Sequence, residues 1–179
     1  LNLRNKTVLI TGGSKGIGLA CAKEFAAEGC NLHLVSRTSE DLETAKKEIE
    51  AENNIQVTIH SLDLSNSTNV DQLAKDCPKI DILVNNAGAI PAGDIQAIDE
   101  ERWRAAWDLK VFGYINMTRR YYPIMRDTGG GVIMNVIGLA GVRVDKNYIA
   151  GSAGNASIIG FTHAMGAYAL DEGMRVLGV

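Results

Sequence analysis

The stretch Thr11-Gly12-Gly13-Ser14-Lys15-Gly16-Ile17-Gly18 constrains what this chain can fold into more than any other. It stands directly between the apolar run Thr7-Val8-Leu9-Ile10 and a segment, 17–27, with apolar residues at helical spacing. A short bounded apolar run reads as a buried strand, and the segment after it as a helix. Spaced glycines between the two allow backbone to approach a pyrophosphate and helix to pack on strand. The helix N-terminus adds unpaired N–H groups and partial positive charge toward that anion. A merely tight turn is the competing reading, and the strand before and the helix after weigh against it.

The pattern then repeats. Strands are predicted over 32–35, 57–62, 80–84, 132–136 and 175–179. Helices are predicted over 40–51, 70–76, 102–126 and 150–170, the third interrupted by Gly113 and ended near Pro123. Alternation of this kind implies parallel strands joined by right-handed crossovers. Continuous apolar runs fit strands covered on both faces. The expected fold is α/β: a doubly wound Rossmann fold, a six-stranded parallel sheet flanked by helices on both faces. With 179 residues and 46% apolar content, one domain over 1–179 is expected. The last residues, Val176-Leu177-Gly178-Val179, break off in or just after a strand, which suggests a longer natural chain.

Lys and Arg total 18 against 21 Asp and Glu, a net charge of −3. That balance argues against a nucleic-acid or anionic-membrane partner. No run of about 18 apolar residues exists, so no membrane span is expected. The start, Leu1 to Lys6, lacks the apolar block of a signal peptide. Cys21, Cys30 and Cys77 have no metal-ligand spacing and read as reduced thiols in a cytoplasmic protein.

About 20 residues past the glycine turn, dinucleotide folds place an acid for a ribose 2′-hydroxyl or an Arg for a 2′-phosphate. Here the second strand ends Val35-Ser36-Arg37, with no acid at its tip, and Lys15 adds a cation in the turn. The pair favours NADP(H) over NAD(H), because it would neutralise a phosphate that NAD lacks. Two solvated surface cations are the alternative.

With the turn placed, the chain resembles the short-chain dehydrogenase/reductases over nearly its whole length. Their Thr-Gly-x-x-x-Gly-x-Gly motif matches Thr11 to Gly18. Their Asn-Asn-Ala-Gly motif matches Asn85-Asn86-Ala87-Gly88 after the fourth strand. The Asp that meets adenine in the family matches Asp63, in Ser61-Leu62-Asp63-Leu64. The resemblance implies that Gly12, Ser14, Lys15, Gly16, Ile17, Gly18, Ser36, Arg37, Asp63, Leu64, Asn86, Ala87 and Gly88 bind the cofactor. Asp63 also reads as a turn or cap residue. Small Ala87 and Gly88 let backbone lie close to the riboses, and the Asn85 and Asn86 amides can bridge neighbouring strand ends. The Pro-Gly turn, substrate lid and seventh strand that follow in the family are not present in this sequence.

In the family a Tyr moves the proton, a Lys four residues on lowers its pKa, a Ser orients the substrate oxygen and an Asn holds a water. Ungapped alignment between 132–136 and Gly160-Phe161-Thr162 puts Gly138 at the Ser position, Gly151 at the Tyr position and Asn155 at the Lys position. Lys110 falls at the Asn position. No Tyr-x-x-x-Lys occurs anywhere.

Two readings stand at this point. In one the site is dead. In the other it is rebuilt: Lys110 and Asn155 exchange residue types, Tyr148 supplies the phenol from the loop, and Gly151 leaves room where the usual ring would sit. Tyr148, Lys110 and Asn155 are therefore the candidate catalytic residues. The plain alternatives are a solvated Lys110 and a packing Tyr148. His163 lies about two turns past Asn155 and reads first as packed or solvent-facing, and Cys21 reads as core.

Small residues along 150–170 allow close approach of another element, and the resemblance implies a homodimer or homotetramer. The expected function is an NADP(H)-dependent oxidoreductase acting on a small-molecule carbonyl or alcohol through an altered proton relay. The alternative is a dinucleotide-binding sensor or subunit without hydride transfer.

Overall fold

The computed structural model describes residues 2–179. β1 (Thr7–Thr11), β2 (Asn31–Ser36), β3 (Val57–Ser61), β4 (Ile82–Asn85), β5 (Gly131–Asn135) and β6 (Met174–Gly178) form one sheet in the order β3-β2-β1-β4-β5-β6. Every adjacent pair is parallel. The helices between them are α1 (Gly16–Ala27), α2 (Ser39–Glu52), α3 (Ser67–Asp76), α4 (Glu100–Trp107), α5 (Gly113–Asp127) and α6 (Ile149–Ala169).

The central strands β1 and β4 are covered on both faces, which is why they are buried almost throughout rather than alternating. Val8, Ile10, Leu32 and Leu34 pack with Ala22 and Ala26 of α1 and with Leu42, Ala45 and Ile49 of α2. Leu9, Leu83 and Ile133 face the other way. They meet Val70 and Leu73 of α3, Met117, Tyr121 and Met125 of α5, and Ala169 of α6. The expected doubly wound fold is thus the observed one.

The helix predicted over 102–126 differs in three respects. It begins at Glu100, where Asp99 accepts the Arg102 N–H at 2.8 Å. Its interruption precedes Gly113: residues Asp108–Phe112 form a π-helical turn between α4 and α5. It also runs through Pro123 to Asp127. Pro removes one hydrogen bond from a helix, but buried Tyr121 and Met125 bracket Pro123 and hold α5 on the sheet.

The strand order reverses between β1 and β4, and the crevice beyond the strand ends at such a switch point is where this architecture seats ligands. No helix among the described residues is long and apolar enough to cross a membrane.

Candidate active site

A cleft of about 550 Å³ occupies that crevice. At one end lies the turn between β1 and α1. Its Gly12 and Gly13 N–H groups donate to the Val35 carbonyl at 2.7 and 3.3 Å, docking the turn on the end of β2. Gly12 has φ +67° and Gly16 φ +57°, left-handed values that favour glycine. At Gly18 a Cβ would lie 2.1 Å from the Gly12 carbonyl oxygen, so α1 packs on the turn with no space between them. No side chain caps α1. Its first N–H groups therefore remain available to an anion.

The Asn85–Gly88 segment clasps this turn. Thr11 Oγ1 accepts the N–H groups of Asn86 at 2.9 Å and Ala87 at 3.0 Å. Asn86 Nδ2 donates to the Thr11 and Gly12 carbonyls at 3.0 and 3.2 Å. Asn85 Nδ2 bridges to Asn135 Oδ1 on β5 at 2.9 Å. Both amides thus join neighbouring strand ends, as their positions in the sequence suggested.

Of the expected cofactor residues, Gly12, Ser14, Lys15, Ile17, Ser36, Arg37, Leu64, Asn86, Ala87 and Gly88 line the cleft. Gly16 and Gly18 shape the turn behind it. Asp63 sits in an adjoining depression, which Arg37 also lines. Its carboxylate accepts the Ser65 N–H at 3.0 Å and hydroxyl at 2.8 Å, so it does serve as a turn residue. Burial pushes its pKa up, but these bonds and the charge of Arg37 outweigh that and hold it below the usual carboxylate value.

One partner was not read from the sequence. Asp41, at the start of α2, pairs with Lys15 Nζ at 3.0 Å and also lines the cleft. Both residues are charged and 26 positions apart, and no local pattern joins them.

The other end of the cleft holds Lys110, Tyr148 and Asn155 together. The π-turn carries Lys110, which is buried rather than solvated. Its stem crosses Gly88, where a Cβ would lie 2.6 Å from Lys110 Cδ. Its Nζ donates to Tyr114 Oη at 2.7 Å and to the Val136 carbonyl at 2.7 Å. Tyr114 Oη donates in turn to that carbonyl at 3.0 Å. Tyr114 is the participant the sequence reading missed. Its spacing of four from Lys110 was the available signal.

Burial without a carboxylate partner lowers the Lys110 pKa from 10.5 to about 8. Burial likewise pushes the Tyr114 phenol above its ordinary range.

Tyr148 precedes α6, and its ring fills the space a side chain at position 151 would take. A Cβ on Gly151 would lie 2.0 Å from Tyr148 Cε1. Asn155 is buried, and its amide acts as a clamp. Oδ1 accepts the Gly138 N–H at 2.7 Å, and Nδ2 donates to the Gly151 carbonyl at 2.8 Å. It also lies where a Gly138 side chain would project, 2.9 Å from that Cβ to Nδ2. His163 is exposed and does not line the cleft. Among the described residues no group of three or more His, Cys, Asp or Glu could hold a metal.

A family model described as short chain dehydrogenase matches residues 6–179. D-beta-hydroxybutyrate dehydrogenase of Cupriavidus necator is 34% identical over 165 residues, covering 89% of this chain and 63% of that protein. The L-sorbose reductase of Gluconobacter frateurii, solved with NADPH and L-sorbose, is 28% identical with a TM-score of 0.94. That match covers 98% of this chain and 68% of that one. An NAD+-bound xylitol dehydrogenase is 26% identical with a TM-score of 0.92, covering 99% and 70% of the two chains.

Proposed function

Because the chain belongs to the short-chain dehydrogenase family, we propose that it is an NADP(H)-dependent oxidoreductase acting between a carbonyl and an alcohol, with a proton relay rebuilt from Lys110 and Tyr148. The observation that carries this reading is that Lys110, Tyr148 and Asn155 gather in the same cleft as the glycine turn.

The open N-terminus of α1, with Gly12, Ser14, Gly16, Ile17 and Gly18, would hold the pyrophosphate. Ser36, Arg37 and Lys15 would meet a ribose 2′-phosphate, with Arg37 carrying more of that contact because Lys15 shares its charge with Asp41. Asp63 and Leu64 would border the adenine, and Asn86, Ala87 and Gly88 would lie against the riboses. When bound, the dinucleotide supplies or accepts the hydride.

The chain's own residues handle the proton and the oxygen. Tyr148 Oη gives or takes the proton from the space over Gly151. Lys110 Nζ places positive charge where the substrate oxygen gains electrons. Asn155 is a positioning residue that fixes Gly138 and the start of α6. General acid–base assistance of this kind is worth about 10²–10⁴ in rate. Exposed Ala153, Ala156, Gly160 and Ala164 leave a flat face on α6 that suits a homodimer or homotetramer.

The test is titration with NADPH and, separately, NADH by nicotinamide fluorescence, followed by NADPH oxidation across a carbonyl panel. Tight NADPH, weak NADH and turnover support the proposal. Turnover unchanged in Tyr148→Phe removes Tyr148 as the acid. Binding without any turnover favours a dinucleotide-binding protein that does no hydride chemistry, and no binding removes both.

A further inference from the structure

Lys110 is the single buried lysine among the described residues. Lys6, Lys15 and Lys23 pair instead with Asp81, Asp41 and Glu48 at the surface. Lys110 has no carboxylate partner, and burial alone displaces its pKa toward neutrality, to about 8. A structural surface lysine shows neither feature, since its ammonium stays in water.

The bonding at Nζ defines what remains. Two N–H groups are directed to Tyr114 Oη and the Val136 carbonyl, each at 2.7 Å. In the neutral amine the nitrogen has three bonds and one lone pair. With Cε and both hydrogens held by the wall, the lone pair is the position left over. The residue lines the cleft, its stem lying in the room beside Gly88. The Lys110 stem is pinned by its crossing of Gly88, so the amine reaches this position with little rotamer freedom left to lose. A desolvated amine with a free lone pair beside a carbonyl site is a nucleophile as well as a charge.

We propose that Lys110 is a covalent capture site for small aldehydes, its neutral amine condensing with the carbonyl to form an imine. This rests on the reading of the cleft as a carbonyl site. The Nζ lone pair attacks the carbonyl carbon, a C–N bond forms, and the C–O π electrons move to oxygen. Oxygen then leaves as water with both amine hydrogens, giving Lys110–Nζ=CHR. No atom changes oxidation state overall, and no further reactant is needed. Tyr114 is the positioning residue: its hydroxyl accepts one amine hydrogen and is itself anchored on Val136.

The experiment uses the dinucleotide-free chain with butanal and cyanoborohydride at pH 8, followed by intact mass and peptide mapping. The reductant converts the imine to a stable secondary amine. The expected result is butylation at Lys110 at least tenfold faster than at the exposed lysines, lost in Lys110→Arg. Tyr114→Phe should slow labelling at Lys110 several-fold and leave the other lysines unchanged. Labelling of Lys110 no faster than that of Lys47 or Lys146 overturns the proposal. So does fast labelling at Lys110 that Tyr114→Phe leaves unaltered, since the reactivity would then not come from the setting that Tyr114 fixes. Trapping that proceeds in a chain with no NADPH turnover supports the capture site and sinks the hydride reading alone. Turnover without preferential trapping does the reverse.

Discussion

At the glycine end of the cleft, an added Cβ meets backbone: on Gly18 it would lie 2.1 Å from the Gly12 carbonyl oxygen. At the Lys110 end, the absent side chains are matched by other side chains. Tyr148 fills the room beside Gly151, Asn155 the room beside Gly138, and Lys110 the room beside Gly88. Backbone cannot withdraw there without unmaking the turn, so position 18 tolerates no side chain. Side chains can trade places, because one volume is as well filled from a neighbouring position as from its own. In the sequence the family's glycine motif is complete at one end, and no Tyr-x-x-x-Lys occurs to serve the other.

The most direct way to break this comparison is Gly18→Ala. It is expected to cost about 3 kcal/mol, the upper range for overpacking against atoms that cannot yield, and to abolish dinucleotide binding. Urea denaturation and nicotinamide fluorescence read the two effects. A variant that binds normally would show that the turn has slack.

Next is the pH dependence of stability at the other end. The Lys110 pKa is lowered to about 8 in the folded chain from 10.5. Between those values the unfolded chain holds a proton that the folded chain has shed, so stability rises with pH. Tyr114 has its pKa raised by burial. Above its ordinary pKa of about 10 the unfolded phenol loses a proton that the folded one keeps, and stability falls. The useful window is thus pH 8 to 10, and the gain across it is about 2 kcal/mol. Lys110→Met should flatten that rise in denaturation at the two pH values.

Asn155→Ala leaves the Gly138 N–H without its acceptor and should cost about 1–2 kcal/mol. Dinucleotide affinity should change little, which would confine the clamp to its own end of the cleft. The smallest effect belongs to the surface pair. Asp41→Asn frees Lys15 and is expected to tighten NADPH by less than about 1 kcal/mol, with NADH unchanged. The gain should fade at high salt. Equal tightening of both dinucleotides would remove Lys15 from the 2′-phosphate contact.

The fold was legible because it rests on local signals repeated five times before the last strand: a short apolar run, a turn and a helix. The helix over 100–127 was misjudged because local rules treat Gly113 and Pro123 as interruptions. Burial of Tyr114, Met117, Tyr121 and Met125 overrides the proline, and the real break is a π-turn that no residue announces. That Lys110, Tyr148 and Asn155 line one cleft was legible too. Their partners were not. Lys110 bonds Tyr114 and the Val136 carbonyl, and Asn155 bonds Gly138 and Gly151.

By itself, then, the sequence determined the parallel sheet, the glycine turn and the place of the cleft. Each follows from backbone conformations that a few adjacent residues permit or forbid. Tertiary structure alone decided which groups are charged, buried and paired within the cleft. Those outcomes depend on how the π-turn rotates Lys110 inward, how α2 brings Asp41 to Lys15, and how the loop before α6 lays Tyr148 over Gly151. Side-chain partners come from elements far apart in the chain, and their distances are set by packing rather than by spacing along it.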